Sequence, residues 1–306
     1  MSSVAERATD RRAGHLPAIL GLLAATVVWG STFLVTKDTL DTMSVSNFLS
    51  WRFGLAAVIL LLAAPRRWLR PSPGQWRRGV ALGVFLGLGF LAQTQGLRET
   101  SAAVSGFLTG LMVVLTPLVS ATAFREQVTT RGWVAVAVAT IGLALISLQG
   151  WSLSPGAGLT LLGAAFFALQ IASLSQWATP VNGYGLTAVS VTVAALMCAA
   201  VAVTSGEFTI PAHASEWTSL LYLAIGATCL GLVLQAWSQS HLSATTSAVI
   251  MTFEPVFAGI IAVVIGGEAL TARIWLGGLV IVGAMFLAEF GPRRCCDAQV
   301  PRVEPL

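Results

Sequence analysis

The segment Glu126-Gln-Val-Thr-Thr-Arg-Gly-Trp133 returns 142 residues later as Glu268-Ala-Leu-Thr-Ala-Arg-Ile-Trp275, and both copies fit the pattern E-x-x-T-x-R-x-W. The same offset relates further pairs of residues: Gln93 and Gln235, Gly89 and Gly231, Ser101 and Ser243, Ala102 and Ala244, and Ser105 and Ser247. Chance does not produce so many pairs at one spacing. The repeat predicts that the chain contains two copies of one multi-helix unit.

The composition of the chain is that of a membrane protein. Its 306 residues are 56% hydrophobic and only 10% charged, and the mean hydropathy of +0.81 lies outside the range of soluble domains. About 20 apolar residues cross a bilayer as a helix, because every backbone N–H and C=O must be paired internally there. Ten apolar runs fit this length: 17–36, 46–64, 79–97, 101–123, 132–149, 157–177, 184–204, 217–238, 244–266 and 273–290. We therefore predict an all-α integral membrane protein with ten transmembrane helices.

The number of helices in each copy predicts two inverted repeats. Five is odd, so the second copy enters the membrane from the opposite side, an arrangement typical of secondary transporters. The predicted units are a cytoplasmic N-terminal tail (1–15), a first repeat (16–149), a second repeat (157–290) and a cytoplasmic C-terminal tail (291–306). Thirteen of the 17 Lys and Arg residues lie in segments that are cytoplasmic if the N-terminus is inside, which favours this orientation in the plasma or inner membrane.

The repeated segment is best interpreted as a structural anchor. In each copy the Thr is placed to cap the following helix, the Glu to interact with the N-terminal dipole of that helix, and the Trp to lie at the membrane interface. A second structural feature is the series Gly79, Gly83 and Gly87, whose spacing allows neighbouring helices to approach closely. A dinucleotide-binding loop is excluded there because no strand precedes it. The chemistry is therefore expected elsewhere in the chain.

Glu254 is the principal candidate for a functional residue. It lies near the middle of the ninth predicted helix, in Thr252-Phe253-Glu254-Pro255, where a carboxylate facing lipid would be costly, so we expect it to face the bundle interior. One interpretation is proton coupling or recognition of a substrate amine. The other is a protonated carboxyl bonded to a neighbouring helix, aided by the carbonyls that Pro255 leaves without a donor. Both interpretations remain open at this point.

Two prolines predict interruptions of the fourth and ninth helices. Pro117 corresponds to Pro255, displaced by one helical turn from the offset of 142. Broken helices near the midplane are where duplicated transporters place their binding sites. When the copies are aligned on these prolines, the counterpart of Glu254 is Thr116, so the charge is present in one copy only.

Other polar or aromatic residues in the apolar helices are candidates for a substrate path. The predicted third, fourth, eighth and ninth helices are the expected walls, and their candidate residues are Gln93, Gln235, Ser105, Thr109, Trp237 and Thr252. The two glutamines either line this path or form hydrogen bonds between helices for packing. Trp29 on the first helix either adds a flat apolar wall or packs in the core. Arg52 is expected to anchor the second helix, by reaching the membrane interface or by meeting Asp38 and Asp41.

Several short segments of the chain resemble those of a known family, and the resemblance covers about residues 16–290. The chain resembles the EamA branch of the drug/metabolite transporter superfamily in the segments Trp29-Gly-Ser-Thr-Phe33, Arg52-Phe53, Glu126-Gln-Val-Thr129, Phe253-Glu-Pro-Val-Phe-Ala258 and Gly267-Glu-Ala-Leu-Thr271. The resemblance implies ten helices in two inverted repeats, a central cavity between the third, fourth, eighth and ninth helices, and alternating access. It also implies small metabolites such as amino acids as substrates, often exported.

The sequence thus predicts a secondary transporter of amino acids or related amines or drugs, with export favoured. An intramembrane enzyme is disfavoured because the motifs of a metal-dependent or serine hydrolase are absent. A channel or membrane sensor needs no inverted duplication and is the second alternative. The expected partners are a small-molecule substrate and the lipid bilayer, while proton coupling and a homodimer stay open. We expect no cofactor, and no metal because neither pair of cysteines resembles a metal site. We also expect no nucleic acid, because the charge asymmetry between the membrane faces accounts for the net charge of +4.

Overall fold

The computed structural model describes residues 2–64, 72–124, 130–149, 152–179, 182–242 and 250–289, and these are almost entirely helical. The helices are α1 (Ser2–Thr39), α2 (Val45–Ala63), α3 (Pro73–Glu99), α4 (Ala102–Gly110), α5 (Met112–Phe124), α6 (Thr130–Ser147), α7 (Pro155–Trp177), α8 (Gly183–Thr204), α9 (Ala214–Tyr222), a π-helical segment (Leu223–Leu230), α10 (Gly231–His241), α11 (Phe253–Val264) and α12 (Ala272–Glu289). Two short strands, β1 (Leu148–Gln149) and β2 (Ser152–Leu153), pair antiparallel between α6 and α7.

Seven helical spans in this part of the chain are long and apolar enough to cross a membrane. They are Leu16–Thr39, Val45–Ala63, Pro73–Glu99, Ala102–Ala123, Pro155–Trp177, Gly183–Thr204 and Ala214–His241. Shorter apolar helices occupy Trp133–Leu145, Phe253–Val264 and Ala272–Leu287. The predicted fold class, an all-α integral membrane protein, is confirmed.

Local sequence signals set the beginnings of several helices. The Ser44 hydroxyl accepts a hydrogen bond from the Asn47 backbone at the start of α2. At the start of α3, Ser72 and Gln75 form a reciprocal capping box, which satisfies two backbone donors that have no partner within the helix. Because these caps lie outside the apolar runs, α3 begins six residues before the apolar run predicted from residue 79.

The packing of the bundle has the same pattern in both halves of the chain. Helix α3 packs on α7, and its counterpart α10 packs on α1. Helix α3 also packs on α8, and α2 correspondingly packs on the π-helical segment that precedes α10. The contact of α1 with α11 matches that of α5 with α7, and the pairs α2 with α8 and α6 with α12 join equivalent helices. Helix α4 also packs on α11, so the fourth and ninth spans contact each other. Each helix therefore contacts mainly helices of the other half.

Two glycines at equivalent positions allow close approaches of this kind. A Cβ atom on Gly89 of α3 would lie 2.7 Å from the ring of Phe167 in α7, and one on Gly231 would lie 2.6 Å from the indole nitrogen of Trp29 in α1. No side chain larger than hydrogen fits at such distances without displacing the ring. An aromatic residue near the middle of α1 and of α7 thus packs against a glycine of the other half.

The glycine series of α3 contacts α8 as predicted. A Cβ atom on Gly79 would lie 2.6 Å from Val189, and one on Gly83 would lie 2.6 Å from the carbonyl oxygen of Ser190. Such contacts between backbones are what small residues at a spacing of four provide in membrane helices. The prediction that this face serves close packing is confirmed.

The second copy of the repeated segment connects three helices. The Glu268 carboxylate accepts hydrogen bonds from the backbone nitrogens of Ala102 at 2.7 Å and Ala103 at 3.2 Å. It therefore caps α4, and the prediction that it serves the helix it precedes is wrong for this copy. The connection between α11 and α12 passes close enough to α4 for the carboxylate to reach these unpaired amides, which sequence spacing does not reveal. Glu126 and Thr129 of the first copy lie outside the described residues.

The remaining residues of this copy have roles at helix ends and at the surface. The Thr271 hydroxyl accepts a hydrogen bond from the Ile274 backbone at 3.4 Å, as the predicted cap requires. Arg273 donates to the carbonyls of Leu145 and Ala144 at the C-terminal end of α6. Trp275 is 43% exposed, in keeping with a place at the membrane interface. The interpretation of this copy as a structural anchor is supported by each of these contacts.

The segment between α8 and α9 covers the beginning of α2 at the same end of the bundle. The Asn47 side chain donates to the Thr209 hydroxyl at 2.8 Å, and the Trp51 indole donates to the Thr209 carbonyl at 2.8 Å. The ring of Trp51 also stacks on Phe208, with the centroids 5.8 Å apart. We call this the Glu268 end, since the loops of residues 40–44, 100–101, 205–213 and 265–271 meet there.

Candidate functional site

A cavity of about 70 Å³ lies inside the bundle. Its polar lining consists of Thr32, Arg52, Gln93, Thr109, Gln170, Thr228, Gln235 and Glu254, with apolar walls that include Trp29, Phe90 and Phe167. Gln93 lies six residues before the end of α3, so the cavity is roughly 9 Å below that end at 1.5 Å per residue. The cavity thus lies inside the bundle rather than at its end, and both halves of the chain contribute to it.

The structure brings together most of the residues proposed from the sequence. Five of the candidates line the cavity: Glu254, Gln93, Gln235, Trp29 and Thr109. Three candidates lie outside the lining: Ser105, Trp237 and Thr252. Ser105 is fully buried one helical turn from Thr109, and its hydroxyl has no partner among the described residues. Trp237 is 36% exposed and its ring lies 4.9 Å from that of His241, whereas Thr252 is fully buried just before α11.

Both helices with a central proline are interrupted beside the cavity. The fourth span divides at Leu111, between α4 and α5, and Pro117 follows within α5. In the ninth span a turn at Thr252 precedes α11, which carries Pro255 in its first turn. Proline supplies no N–H to the preceding turn, so the backbone in front of it is free to leave the helical path. Glu254 is the second residue of α11, directly after the turn at Thr252.

Glu254 lines the cavity as a buried residue. The residue is only 7% exposed, and no described side chain or backbone group forms a hydrogen bond with its carboxyl oxygens. The bond to a neighbouring helix, which a purely structural role requires, is therefore absent from the described part of the chain. A buried carboxyl that faces a cavity is free to exchange a proton or to bind a cationic group of a ligand.

The amide of Gln93 connects two walls of the cavity. Its Nε2 atom donates to the Thr109 hydroxyl at 2.8 Å, and both side chains are buried. Gln93 therefore lines the cavity and also forms a hydrogen bond between α3 and α4, so path-lining and helix packing are not exclusive alternatives for this residue. Gln235, at the equivalent position of the second half, is 3% exposed and lies on another side of the same cavity.

Arg52 lies in the cavity wall, and its predicted role as an interfacial anchor is wrong. The residue is 3% exposed, its Nε donates to the Thr228 hydroxyl at 3.1 Å, and its Cζ lies 4.7 Å from the centroid of the Phe90 ring. Asp38 and Asp41 are exposed at the end of α1 and are not bonded to it. The physical reason is that α2 packs against α8 and the π-helical segment, so its eighth residue is enclosed rather than free to reach water.

A π-helical segment forms the part of the cavity wall that contacts Trp29 and Arg52. The Trp29 indole donates to the carbonyl oxygen of Ala227 at 2.9 Å, and Ala227 and Thr228 both line the cavity. π-helical turns are rare and occur often at functional sites. The sequence reasoning missed this segment, together with Gln170, a buried amide that the same search for polar residues in apolar helices would have found.

These observations define a general class: a helical membrane protein with two similar halves and an internal cavity to which both halves contribute polar side chains. The chain belongs to the EamA-like transporter family, whose family model matches residues 16–148 and again residues 154–290. The resemblance read from the sequence motifs is thus confirmed, and the protein is a membrane transporter of this family.

Several relatives match over most of their length. An uncharacterized transporter of Archaeoglobus fulgidus is 32% identical over 279 residues, which is 90% of this chain and 86% of the relative. The uncharacterized transporter YyaM of Bacillus subtilis is 23% identical, covering 89% of this chain and 93% of the relative. The uncharacterized inner membrane transporter YedA of Escherichia coli K12 is 25% identical, with 90% and 92% covered.

A solved crystal structure has the same fold. It superposes with a TM-score of 0.67 over 90% of this chain and 96% of that chain, at 18% sequence identity. At this identity the likeness concerns the fold alone.

Proposed function

We propose that this protein is a secondary transporter that moves small metabolites, such as amino acids or related amines, by alternating access. The central cavity is the substrate site, and ten transmembrane helices in two inverted five-helix repeats form its walls. The first repeat covers residues 16–149 and the second residues 157–290. We further infer that both termini are cytoplasmic, that the protein resides in the inner membrane, and that export is its physiological direction.

The observation that carries this proposal is the position of Glu254. This buried residue lines the cavity inside the bundle, and its carboxyl group has no hydrogen-bond partner among the described residues. Burial of such a group is costly unless a proton or a ligand neutralises it. A carboxyl that alternately takes a proton and a substrate amine fits this environment and would couple the two movements.

The matched packing of the two halves supports alternating access. The contacts of α3 with α7 and of α10 with α1 are equivalent, and the glycine contacts of Phe167 and Trp29 agree in position. Two conformations in which the halves exchange their roles, one open to each side of the membrane, would then have similar packing energy. Transporters with inverted repeats use this property to open the same site alternately to each side.

A flux screen in proteoliposomes tests the function. Purified protein is reconstituted with an imposed proton gradient, and labelled amino acids, amines and nucleobases are offered to it. We expect at least one amino acid or amine to accumulate above its equilibrium concentration, and a protonophore to abolish the accumulation. Movement that only equilibrates the solute, with or without the protonophore, would indicate a channel instead. Liposomes without protein provide the baseline.

A further inference from the structure

The beginning of α9 corresponds to the beginning of α3 at an offset of 141 rather than 142. Gln75 and Trp76 match Glu216 and Trp217. The match is also structural, because the Gln75 side chain accepts a hydrogen bond from the Ser72 backbone at 2.9 Å and the Glu216 side chain accepts one from the His213 backbone at 3.1 Å. Each acceptor lies three residues after the residue whose N–H it binds, as in a capping box.

The offset changes within the helix that follows these caps. Thirteen positions separate Trp76 from Gly89, whereas fourteen separate Trp217 from Gly231. The second half therefore contains one additional residue between the cap and the glycine. Helix α3 is α-helical throughout, but the corresponding stretch of the second half contains the π-helical segment Leu223–Leu230. One inserted residue is what a π-turn accommodates within an α-helix, so the insertion accounts for this segment.

The π-helical segment changes the chemistry of the cavity at Thr228. The Thr228 hydroxyl donates to the carbonyl of Leu223, five residues earlier, at 2.9 Å, and it accepts the hydrogen bond from Arg52 Nε at 3.1 Å. The Ala227 carbonyl is bound by the Trp29 indole. The inserted residue thus gives two cavity side chains, Arg52 and Trp29, fixed partners on one turn of helix.

The guanidinium of Arg52 has unused binding capacity. Only its Nε atom forms a hydrogen bond within the described residues, and no described carboxylate pairs with it. Glu254 lines the same cavity but forms no ion pair with Arg52. A buried cation without a counter-ion is unfavourable, and a guanidinium is well suited to bind a carboxylate through two parallel hydrogen bonds. The Arg52 Cζ lies 4.7 Å from the centroid of the Phe90 ring, and this cation–π contact helps to hold the group in the cavity wall.

We propose that the one-residue insertion builds an anion subsite in which Arg52, positioned by Thr228, binds the carboxylate group of the substrate. This inference rests on the proposed function insofar as it names the substrate chemistry of the same cavity. It assigns Arg52 as the residue that contacts substrate and Thr228 as the positioning residue. The π-helical segment is then the feature that makes the second half different from the first at this wall.

Binding of three probes with one carbon skeleton tests the subsite. The purified full chain is titrated with 3-methylbutanoate, 3-methylbutanamide and 3-methylbutylamine, and affinity is obtained from the concentration dependence of the thermal unfolding midpoint. We expect the carboxylate to bind the wild-type protein more tightly than the amide of the same shape. Arg52→Gln is expected to weaken carboxylate binding by at least about tenfold and to change amide binding by less than about twofold. Equal binding of carboxylate and amide to the wild type, or no carboxylate binding at all, would overturn the proposal.

The positioning role of Thr228 is tested on the ratio of carboxylate to amide affinity. Thr228→Val keeps the shape of the side chain, loses the hydroxyl and should lower this ratio about three- to tenfold. Thr228→Ser should restore it, because the hydroxyl returns. Thr218→Val is the matched control, since Thr218 bonds only to its own helix at an exposed position. A Thr228→Val protein that is less stable but has an unchanged ratio would show that Thr228 is only structural.

Deletion of Ile225 restores the spacing of thirteen positions between Trp217 and the glycine of the second half. Ile225 is 49% exposed, and its loss should turn the π-helical segment into an α-helix that keeps the caps and Gly231 in register. The carboxylate preference should then fall as in Thr228→Val, and a retained preference would contradict the role of the insertion.

Failure of the proposed function as a transporter would give a different result from failure of the anion subsite. A protein that binds the carboxylate through Arg52 but moves no solute in the flux screen has the subsite and is not a transporter of these compounds.

Discussion

The Glu268 carboxylate and the backbone nitrogen of Ala102 are 2.7 Å apart, although 166 residues separate them in the chain. Ala103 donates to the other carboxylate oxygen, so one acidic side chain satisfies two unpaired amides at the start of α4. This contact joins the connection before α12 to the helix that carries Thr109 into the cavity. The repeated sequence that predicts the duplication thus also fixes one wall of the candidate site.

Loss of this cap should destabilise the protein. Glu268→Ala leaves the two amides of α4 without a charged acceptor, which we expect to cost about 1–2 kcal/mol in the free energy of unfolding. The measurement is thermal unfolding of the purified protein in detergent. Glu99→Gln is the control, because Glu99 is an exposed carboxylate at the same end of the bundle. Equal unfolding midpoints for Glu268→Ala and the control would refute the capping role.

Acidification should weaken the closure of the Glu268 end over α2. Hydrogen bonds from Ser46 and Ser44 hold the pKa of the Glu207 carboxyl below its ordinary value. Since the folded state has the lower pKa, its stabilising contribution is present above the ordinary pKa of a glutamate and is lost as pH falls through the lowered value. Ser46→Ala should therefore reduce the unfolding midpoint at neutral pH and have progressively less effect in acid. An effect of Ser46→Ala that is constant with pH would contradict this assignment.

Positions in the cavity should react with water-soluble thiol reagents in a transport cycle. In a variant without the four native cysteines, Thr109→Cys and Gln235→Cys should be modified from each side of the membrane, because alternating access opens the cavity to both. Ala194→Cys is the control, since Ala194 is fully buried in α8 and does not line the cavity. Reaction from one side only would contradict alternating access, and no reaction from either side would indicate a closed core.

The orientation is tested by reporter fusions. With the N-terminus in the cytoplasm, a fusion after residue 240 places a reporter in the cytoplasm, and a fusion after residue 206 places it outside. We expect a reporter that is active only in the cytoplasm to be active in the first fusion and inactive in the second. The reverse pattern would invert the predicted topology.

Much of the cavity was predictable because a polar side chain in an apolar membrane helix is costly unless it faces the bundle interior or a cavity. Glu254, Gln93 and Gln235, which this argument selected, all line the cavity. The same reasoning failed for Arg52, because a long cationic side chain near a helix end normally reaches the interface, and only tertiary packing shows that this one is enclosed. Thr228 was passed over because a threonine in a helix usually bonds to its own backbone.

The helices were predictable from apolar runs, but their internal irregularities were less so. The turn at Thr252 before Pro255 follows from proline chemistry and was expected. The turn at Leu111 lies six residues before Pro117, beyond the helical turn that this proline affects. The π-helical segment was not expected, although its signal was present as a change of the repeat offset from 141 at Trp217 to 142 at Gly231. A single spacing applied to the whole chain hides such an insertion. Comparison of the offset helix by helix would have found it.

The measurement that tests the central claim most directly is the rate of solute uptake into proteoliposomes by wild type and Glu254→Gln, recorded as a function of pH. The account predicts that Glu254→Gln inserts and folds normally, transports at least about tenfold more slowly and loses the pH dependence of the wild type, because the ionisable group in the cavity is gone. Glu99→Gln should behave like the wild type. An unchanged rate and pH profile for Glu254→Gln would contradict the claim that the cavity carboxyl takes part in transport.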